Sequence, residues 1–156
     1  MPNSFWNGKR VLVTGHTGFK GAWLSLWLEQ LGAKVTGYAL EPPTQPSLFA
    51  DAAVGRGMHS ILGDVRDIEP LTAVVTECRP EVVFHLAAQS LVRPSYRDPV
   101  ETYATNVMGT VHVLEAVPRA GGVRVVVNVT SDKCYANAAE SVAEFREEDP
   151  MGGGDP

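Results

Sequence analysis

Cysteine is nearly absent. Only Cys78 and Cys134 occur in 156 residues, far apart and without C-x-x-C spacing, which suggests neither a disulfide framework nor a zinc site. Basic residues are also scarce, 13 Lys and Arg against 18 Asp and Glu, for a net charge of −5. Nucleic acid and anionic membrane are therefore poor partners, because both need clustered cations. No apolar run approaches the ~18 residues of a membrane span. The opening MPNSFWNGKR carries no apolar core of a secretory signal, so a soluble, cytoplasmic protein is expected. Histidine occurs four times, and neither His59 nor His112 has acid or thiol neighbours at ligand spacing, so no metal is expected. What is present is 44% hydrophobic composition, enough for one domain with a real core.

The most informative stretch is VLVTGHTGFKG, residues 11–21. An apolar run ends in Gly15, Gly18 and Gly21, spaced G-x-x-G-x-x-G, and opens into the helical pattern AWLSLWLEQLG. Glycines at such a strand-to-helix turn allow a tight bend and close backbone approach, and the helix N-terminus supplies partial positive charge. The ligand suited to this turn is a dinucleotide pyrophosphate.

Residues 10–14 are expected as a first strand. Residues 20–31 follow as a helix whose apolar face combines Trp23, Leu24, Trp27, Leu28 and Leu31, stopped by Gly32. KVTGYAL at 34–40 reads as a second strand buried on both sides. Three prolines in 41–47 exclude regular structure, and a short helix is expected at 48–54. A third strand at 58–62 leads through Gly63-Asp64 to a helix at 68–78, with Asp67 as N-cap and Pro70 in its first turn. After Pro80 come a fourth strand at 81–87, a turn-rich AAQSLVRPSYRDP, a long helix at 100–117 closed by Gly121-Gly122, and a fifth strand at 123–129. Strands alternating with helices specify β-α-β units and an α/β fold, a doubly wound parallel sheet of at least five strands. The ending EEDPMGGGDP reads as turn-like or disordered.

With the glycine turn, HLAAQ at 85–89, Asn106 within VETYATNVMGTVHVLEA, and TSDKCY at 130–135, the chain resembles the extended short-chain dehydrogenase/reductase family, and within it the sugar-nucleotide dehydratases acting on CDP-glucose. The resemblance covers essentially the whole chain but only the amino-terminal half of such an enzyme. It implies a Rossmann-like, NAD-binding domain at 1–135, incomplete relative to the family, and a turn-rich tail at 136–156. It further implies NAD as cofactor, CDP-glucose as nucleotide-sugar substrate and a homodimer for the full-length enzyme. The family's lyase reaction oxidises C4 of the sugar, removes water across C5 and C6, and returns hydride to C6.

By this resemblance Gly15, Thr17, Gly18, Phe19, Lys20 and Gly21 form the cofactor turn, Lys20 either pairing with a phosphate or standing solvated in the first turn. Asp64 hydrogen-bonds the adenine amino group and Val65 packs on its ring. Leu86, Ala87, Ala88 and Gln89 end strand four where the backbone approaches the cofactor. Asn106, with Thr105, organises the active-site backbone or the nicotinamide ribose. Thr130 hydrogen-bonds the C4 hydroxyl and Asp132 protonates the departing C6 hydroxyl. Lys133 stands where most such dehydratases carry Glu, either taking the C5 proton or binding substrate electrostatically. His85 is expected to be a satisfied core histidine, and His16 and Lys20 look like subfamily marks.

Two departures bear on this. The strand-two acid that binds ribose is replaced at about Ala39, with Glu41 the nearest carboxylate, while no Lys or Arg lies between Lys34 and Arg56 to receive a 2′-phosphate; NAD stays favoured over NADP by exclusion. None of Tyr38, Tyr96, Tyr103 or Tyr135 has a lysine four residues on, so the family's Tyr-x-x-x-Lys pair is missing. The 156 residues alone are expected to be inactive, either a fragment of a longer, active enzyme or a truncated reading frame. A sugar-nucleotide epimerase or reductase and a non-catalytic NAD-binding module remain open, with Asp132-Lys133 marking the dehydratase.

Overall fold

A computed structural model describes residues 5–136 and 144–152. Its centre is β1 (Arg10–Thr14), where Val11 and Val13 point to one face of the sheet and Leu12 to the other, all of them fully buried. A strand with both faces covered is what a continuous apolar run in a parallel sheet demands. From β1 the chain runs through α1 (Phe19–Gln30) to β2 (Lys34–Ala39), then through α2 (Leu48–Asp51) and a 3-10 turn at Val54–Arg56 to β3 (His59–Leu62). It crosses back through α3 (Ile68–Cys78) to β4 (Val82–His85) on the far side of β1. Next come α4 (Val92–Arg97), α5 (Pro99–Tyr103), a π-helical turn at Ala104–Met108, α6 (Gly109–Ala120) and β5 (Val125–Asn128).

All pairings are parallel and the spatial order is β3-β2-β1-β4-β5. The order reverses between β1 and β4, whose carboxyl-terminal residues Thr14 and His85 are register partners. Open sheets of this kind bind ligands in the crevice at that reversal. The expected α/β doubly wound sheet with five strands is therefore found.

Two cores flank the sheet. Leu12, Tyr38, Leu71, Val75, Val83, Val113 and Ala116 cluster under α3 and α6, and Val11, Val13, Leu28, Val35 and Val82 cluster under α1. At about 1.5–3 kcal/mol for each fully buried large aliphatic side chain, these clusters hold the layers together.

Several expectations need correction. The buried face of α1 is Gly21, Ala22, Ser25 and Leu28, while Trp23 and Trp27 on its other side are 55% and 63% exposed. Small residues win because α1 lies so close to the glycine turn that indoles have no room, and Ser25 turns its Oγ inward to the Gly21 carbonyl at 2.8 Å. The stretch read as turn-rich contains α4, in which Pro94 falls in the first turn, where a missing N–H costs no hydrogen bond. The short helix ends at Asp51 rather than continuing to Val54. Asp67 precedes α3 with extended backbone, but its side chain makes no capping bond. The long helix is interrupted by the π turn and closed by Gly121 at φ 66. Part of the tail is ordered against the body: Tyr135 and Met151 form an antiparallel bridge, and the Tyr135 and Phe145 rings stack 4.7 Å apart.

Candidate functional site

The glycine turn is built by close approach. Gly15 has φ 76, and a Cβ there would lie 2.8 Å from the Ala87 backbone nitrogen, so only glycine fits both the turn and the exit of β4. A Cβ on Gly21 would overlap the Gly15 carbonyl, which fixes how near α1 packs. Gly18 has ordinary backbone angles and donates its N–H to the Gly15 carbonyl at 3.1 Å. Thr17 is buried, its Oγ1 donating to the Leu40 carbonyl at 2.8 Å, which ties the turn to the end of β2. Phe19 and Lys20 stand exposed in the first turn of α1, where no acidic residue opposes an anion.

His16, expected in the turn, is entirely buried. Its Nε2 lies 2.7 Å from Ser60 Oγ on β3, its ring stands edge-on to Phe49 at 5.3 Å, and Gly37 of β2 leaves the room it fills. Burial pushes its pKa down to about 4, with the Tyr38 carbonyl opposing more weakly. The ring is thus a neutral strut linking turn, sheet and α2.

Asp64, expected to contact adenine, follows β3, and Arg66 covers its carboxylate, bonding Oδ1 from the backbone nitrogen at 2.9 Å and Oδ2 from Nε at 2.8 Å. That guanidinium holds the Asp64 carboxyl below its ordinary range, and it also pairs with Glu101 of α5. Val65 is placed otherwise than as a ring platform. Its side chain is buried in the core against Gly109 and packs with Leu71 and Val113.

Past β4, Leu86 turns its side chain into the α1 core, while Ala87, Ala88 and Gln89 line a cavity of about 320 Å³ together with Asn106, Thr130 and Lys133. The structure thus gathers the expected strand exit, the π-turn asparagine and two of the three expected catalytic residues. Asp132 is not among the lining residues, and Ser131 Oγ donates to its Oδ1 at 3.2 Å. Thr130, Asp132 and Lys133 are all exposed, and Lys133 makes no ion pair among the described residues. A larger cavity, about 490 Å³, opens around the amino-terminal residues Arg10 and Lys34 of β1 and β2, away from the chain reversal.

One part of the site escaped the sequence reading. Thr14 Oγ1 lies 2.6 Å from His85 Nδ1, and His85 Nε2 lies 3.1 Å from Thr110 Oγ1, so the histidine is satisfied on both nitrogens, as expected of a core residue. Burial holds its pKa below the ordinary value. Asn106 exchanges two hydrogen bonds with the Gln89 backbone, at 2.8 and 2.9 Å. The signal available was a hydroxyl residue ending a buried strand directly before a glycine turn. Among the described residues no group of three or more His, Cys, Asp or Glu is placed to hold a metal, and no helix is long and apolar enough to cross a membrane.

Comparison with known proteins matches the sequence profile described as GDP-mannose 4,6 dehydratase over residues 12–156. The chain is 60% identical over all 156 residues to CDP-glucose 4,6-dehydratase of Salmonella typhimurium, covering 43% of that protein. Among solved structures it resembles UDP-glucose-4-epimerase from Stenotrophomonas maltophila with bound NAD and formylated UDP-arabinopyranose, with TM-score 0.78 and 26% identity over 92% of this chain and 43% of that one. It also resembles dTDP-glucose 4,6-dehydratase from Bacillus anthracis in complex with NAD, with TM-score 0.76 and 25% identity over 96% of this chain and 46% of that one. The chain therefore spans less than half the length of these relatives.

Proposed function

The chain belongs to the GDP-mannose 4,6 dehydratase family, and from that premise we propose that it is the NAD-binding portion of an enzyme that dehydrates CDP-glucose to CDP-4-keto-6-deoxyglucose. The observation that carries the substrate is 60% identity along the entire chain to a CDP-glucose 4,6-dehydratase. The turn fits a dinucleotide. Gly15 and Gly21 have no room for side chains, and the first turn of α1 offers unopposed backbone N–H groups to a pyrophosphate. NAD, when bound, supplies a hydride acceptor for C4 and a donor for C6.

The chain's own residues position the cofactor and the sugar. Gly15, Thr17, Gly18, Phe19, Lys20 and Gly21 hold the pyrophosphate end, and Asp64 the adenine. Ala87, Ala88, Gln89 and Asn106 border the nicotinamide end, where Thr130 orients the C4 hydroxyl. Asp132 gives its proton to the C6 hydroxyl, which departs as water while the C5 proton passes to a base of the whole enzyme. Lys133, exposed beside the cavity, steers the negatively charged nucleotide sugar. Such chemistry belongs in the cytoplasm, where nucleotide sugars are assembled, and its product suits the deoxysugars of lipopolysaccharide O-antigen. A homodimer of the whole enzyme is supported by the exposed apolar residues Val100, Tyr103, Val107, Val111 and Leu114 along α5 to α6.

Calorimetry of the 156-residue chain tests the reading. NAD binds, NADP binds far more weakly because no cation lies between Lys34 and Arg56, and CDP-glucose with NAD yields no 4-keto sugar without the Tyr-Lys pair. Absence of NAD binding, or turnover by this chain alone, overturns it.

A further inference from the structure

The bonds around His85 fix where its proton resides. Thr14 Oγ1 accepts from the backbone N–H of Ala87 and shares that of Leu86 with the Thr14 carbonyl, each contact at 3.2 Å. With these N–H groups directed at its oxygen, the Thr14 hydroxyl sends its own proton to His85 Nδ1, 2.6 Å away. Nδ1 is then an acceptor, and the ring's one proton sits on Nε2. There it faces Thr110 Oγ1 at 3.1 Å, whose own proton goes to the Asn106 carbonyl at 2.7 Å. The donors run in one direction, from Thr14 through His85 and Thr110 to Asn106.

The last acceptor lies in the π turn at Ala104–Met108. Such turns lack the regular i→i−4 ladder and concentrate at functional positions. The side chain of Asn106 clamps the N–H and C=O of Gln89. Thr14 in turn holds the amides of Leu86 and Ala87, and Ala87 is the residue that Gly15 nearly touches. Both ends of the segment at 86–89 are thus tied to one imidazole.

We propose that His85, locked as the Nε2–H tautomer, is a positioning residue for the dinucleotide site: it fixes the π turn from which Asn106 clamps Gln89 and so sets the shape of the strand exit past which the cofactor lies. This rests on the NAD-binding reading given above.

Long-range ¹H–¹⁵N spectra of the 156-residue chain labelled at histidine test the first half. His85 shows a single Nε2–H tautomer; an Nδ1–H form or a mixture overturns the relay. Calorimetry with NAD tests the second half. Thr110→Val, which exchanges the hydroxyl for a methyl of similar size, weakens affinity about tenfold, the usual worth of one buried hydrogen bond, and Thr110→Ser recovers it to within about threefold. The Gln89 amide resonance reports on the clamp without any cofactor, moving in Thr110→Val and returning in Thr110→Ser. A Thr110→Val chain with wild-type affinity and an unmoved Gln89 resonance overturns the proposal. If the wild-type chain binds no NAD, the cofactor reading falls, while the tautomer and the Gln89 resonance still decide the relay. Should Thr110→Val fail to fold, the wild-type tautomer supports or overturns it.

Discussion

A methyl group added at Gly15 and one added at Gly18 meet different surroundings. At Gly15 it strikes the Ala87 backbone at 2.8 Å on a residue held at φ 76, so Gly15→Ala costs about 2–4 kcal/mol from combined strain and overpacking, read from the urea midpoint. At Gly18 the nearest atom is the Gly15 carbonyl at 3.3 Å, with φ −75. Gly18→Ala therefore costs under about 1 kcal/mol of stability, while the methyl occupies the turn's surface and NAD affinity falls at least tenfold, about 1.4 kcal/mol. A Gly18→Ala chain that melts early, or that binds NAD normally, contradicts this division. Sequence pattern identified all three glycines but could not separate these duties, because they depend on the 86–89 segment, which folds in from more than seventy residues away.

At the scale of elements, α1 shows why hydrophobicity alone misassigns a face. Two tryptophans carry far more apolar area than Gly, Ala and Ser, yet the depth of packing against the turn selects the small side chains. Replacing Trp23 and Trp27 with Gln together changes stability by less than about 1 kcal/mol, whereas Leu28→Ala alone costs about 2–4 kcal/mol; thermal melts distinguish them. The α5 to α6 stretch is the opposite case, with its helical character read correctly and its π turn invisible, since a single extra residue per turn leaves little trace in periodicity. Val100 is 78% exposed, and Val107, Val111 and Leu114 stand about half exposed beyond it, a patch of the kind that drives association. Light scattering is expected to show self-association of the chain that Val107→Glu with Val111→Glu abolishes; a strictly monomeric wild type contradicts it.

For the whole molecule, the two buried histidines make stability depend on acid. His16 has a folded pKa of about 4 against 6.5 unfolded. The unfolded chain therefore takes up a proton below pH 6.5 that the folded chain refuses. The stability associated with the neutral ring is complete above 6.5 and is lost as pH falls toward 4, up to about 3 kcal/mol. His85 acts in the same direction, and Asp64, held low by Arg66, extends the loss further into acid, while Glu29, raised by burial, works weakly against it. Urea midpoints between pH 7.5 and 4.5 should fall steeply in the wild type and less steeply in His16→Gln; parallel slopes would contradict the assignment. Alternation of strands and helices made the fold legible from the chain, and the TSDK loop marked the end of the cavity where Thr130 and Lys133 lie. His16 and Val65 were not, because burial on a particular side is a property of packing rather than of residue type.

The reversal of strand order also has a consequence for synthesis on the ribosome. β1, β2 and β3 emerge consecutively and pair among themselves, but the other edge of β1 waits for β4, since Thr14 meets a histidine 71 residues later. Until that stretch has left the exit tunnel, the central strand of the sheet offers a bare edge to its surroundings, and the glycine turn lacks the backbone it nearly touches. The nascent chain thus passes through an interval of exposure in which chaperones, rather than nucleotide, are its natural protectors.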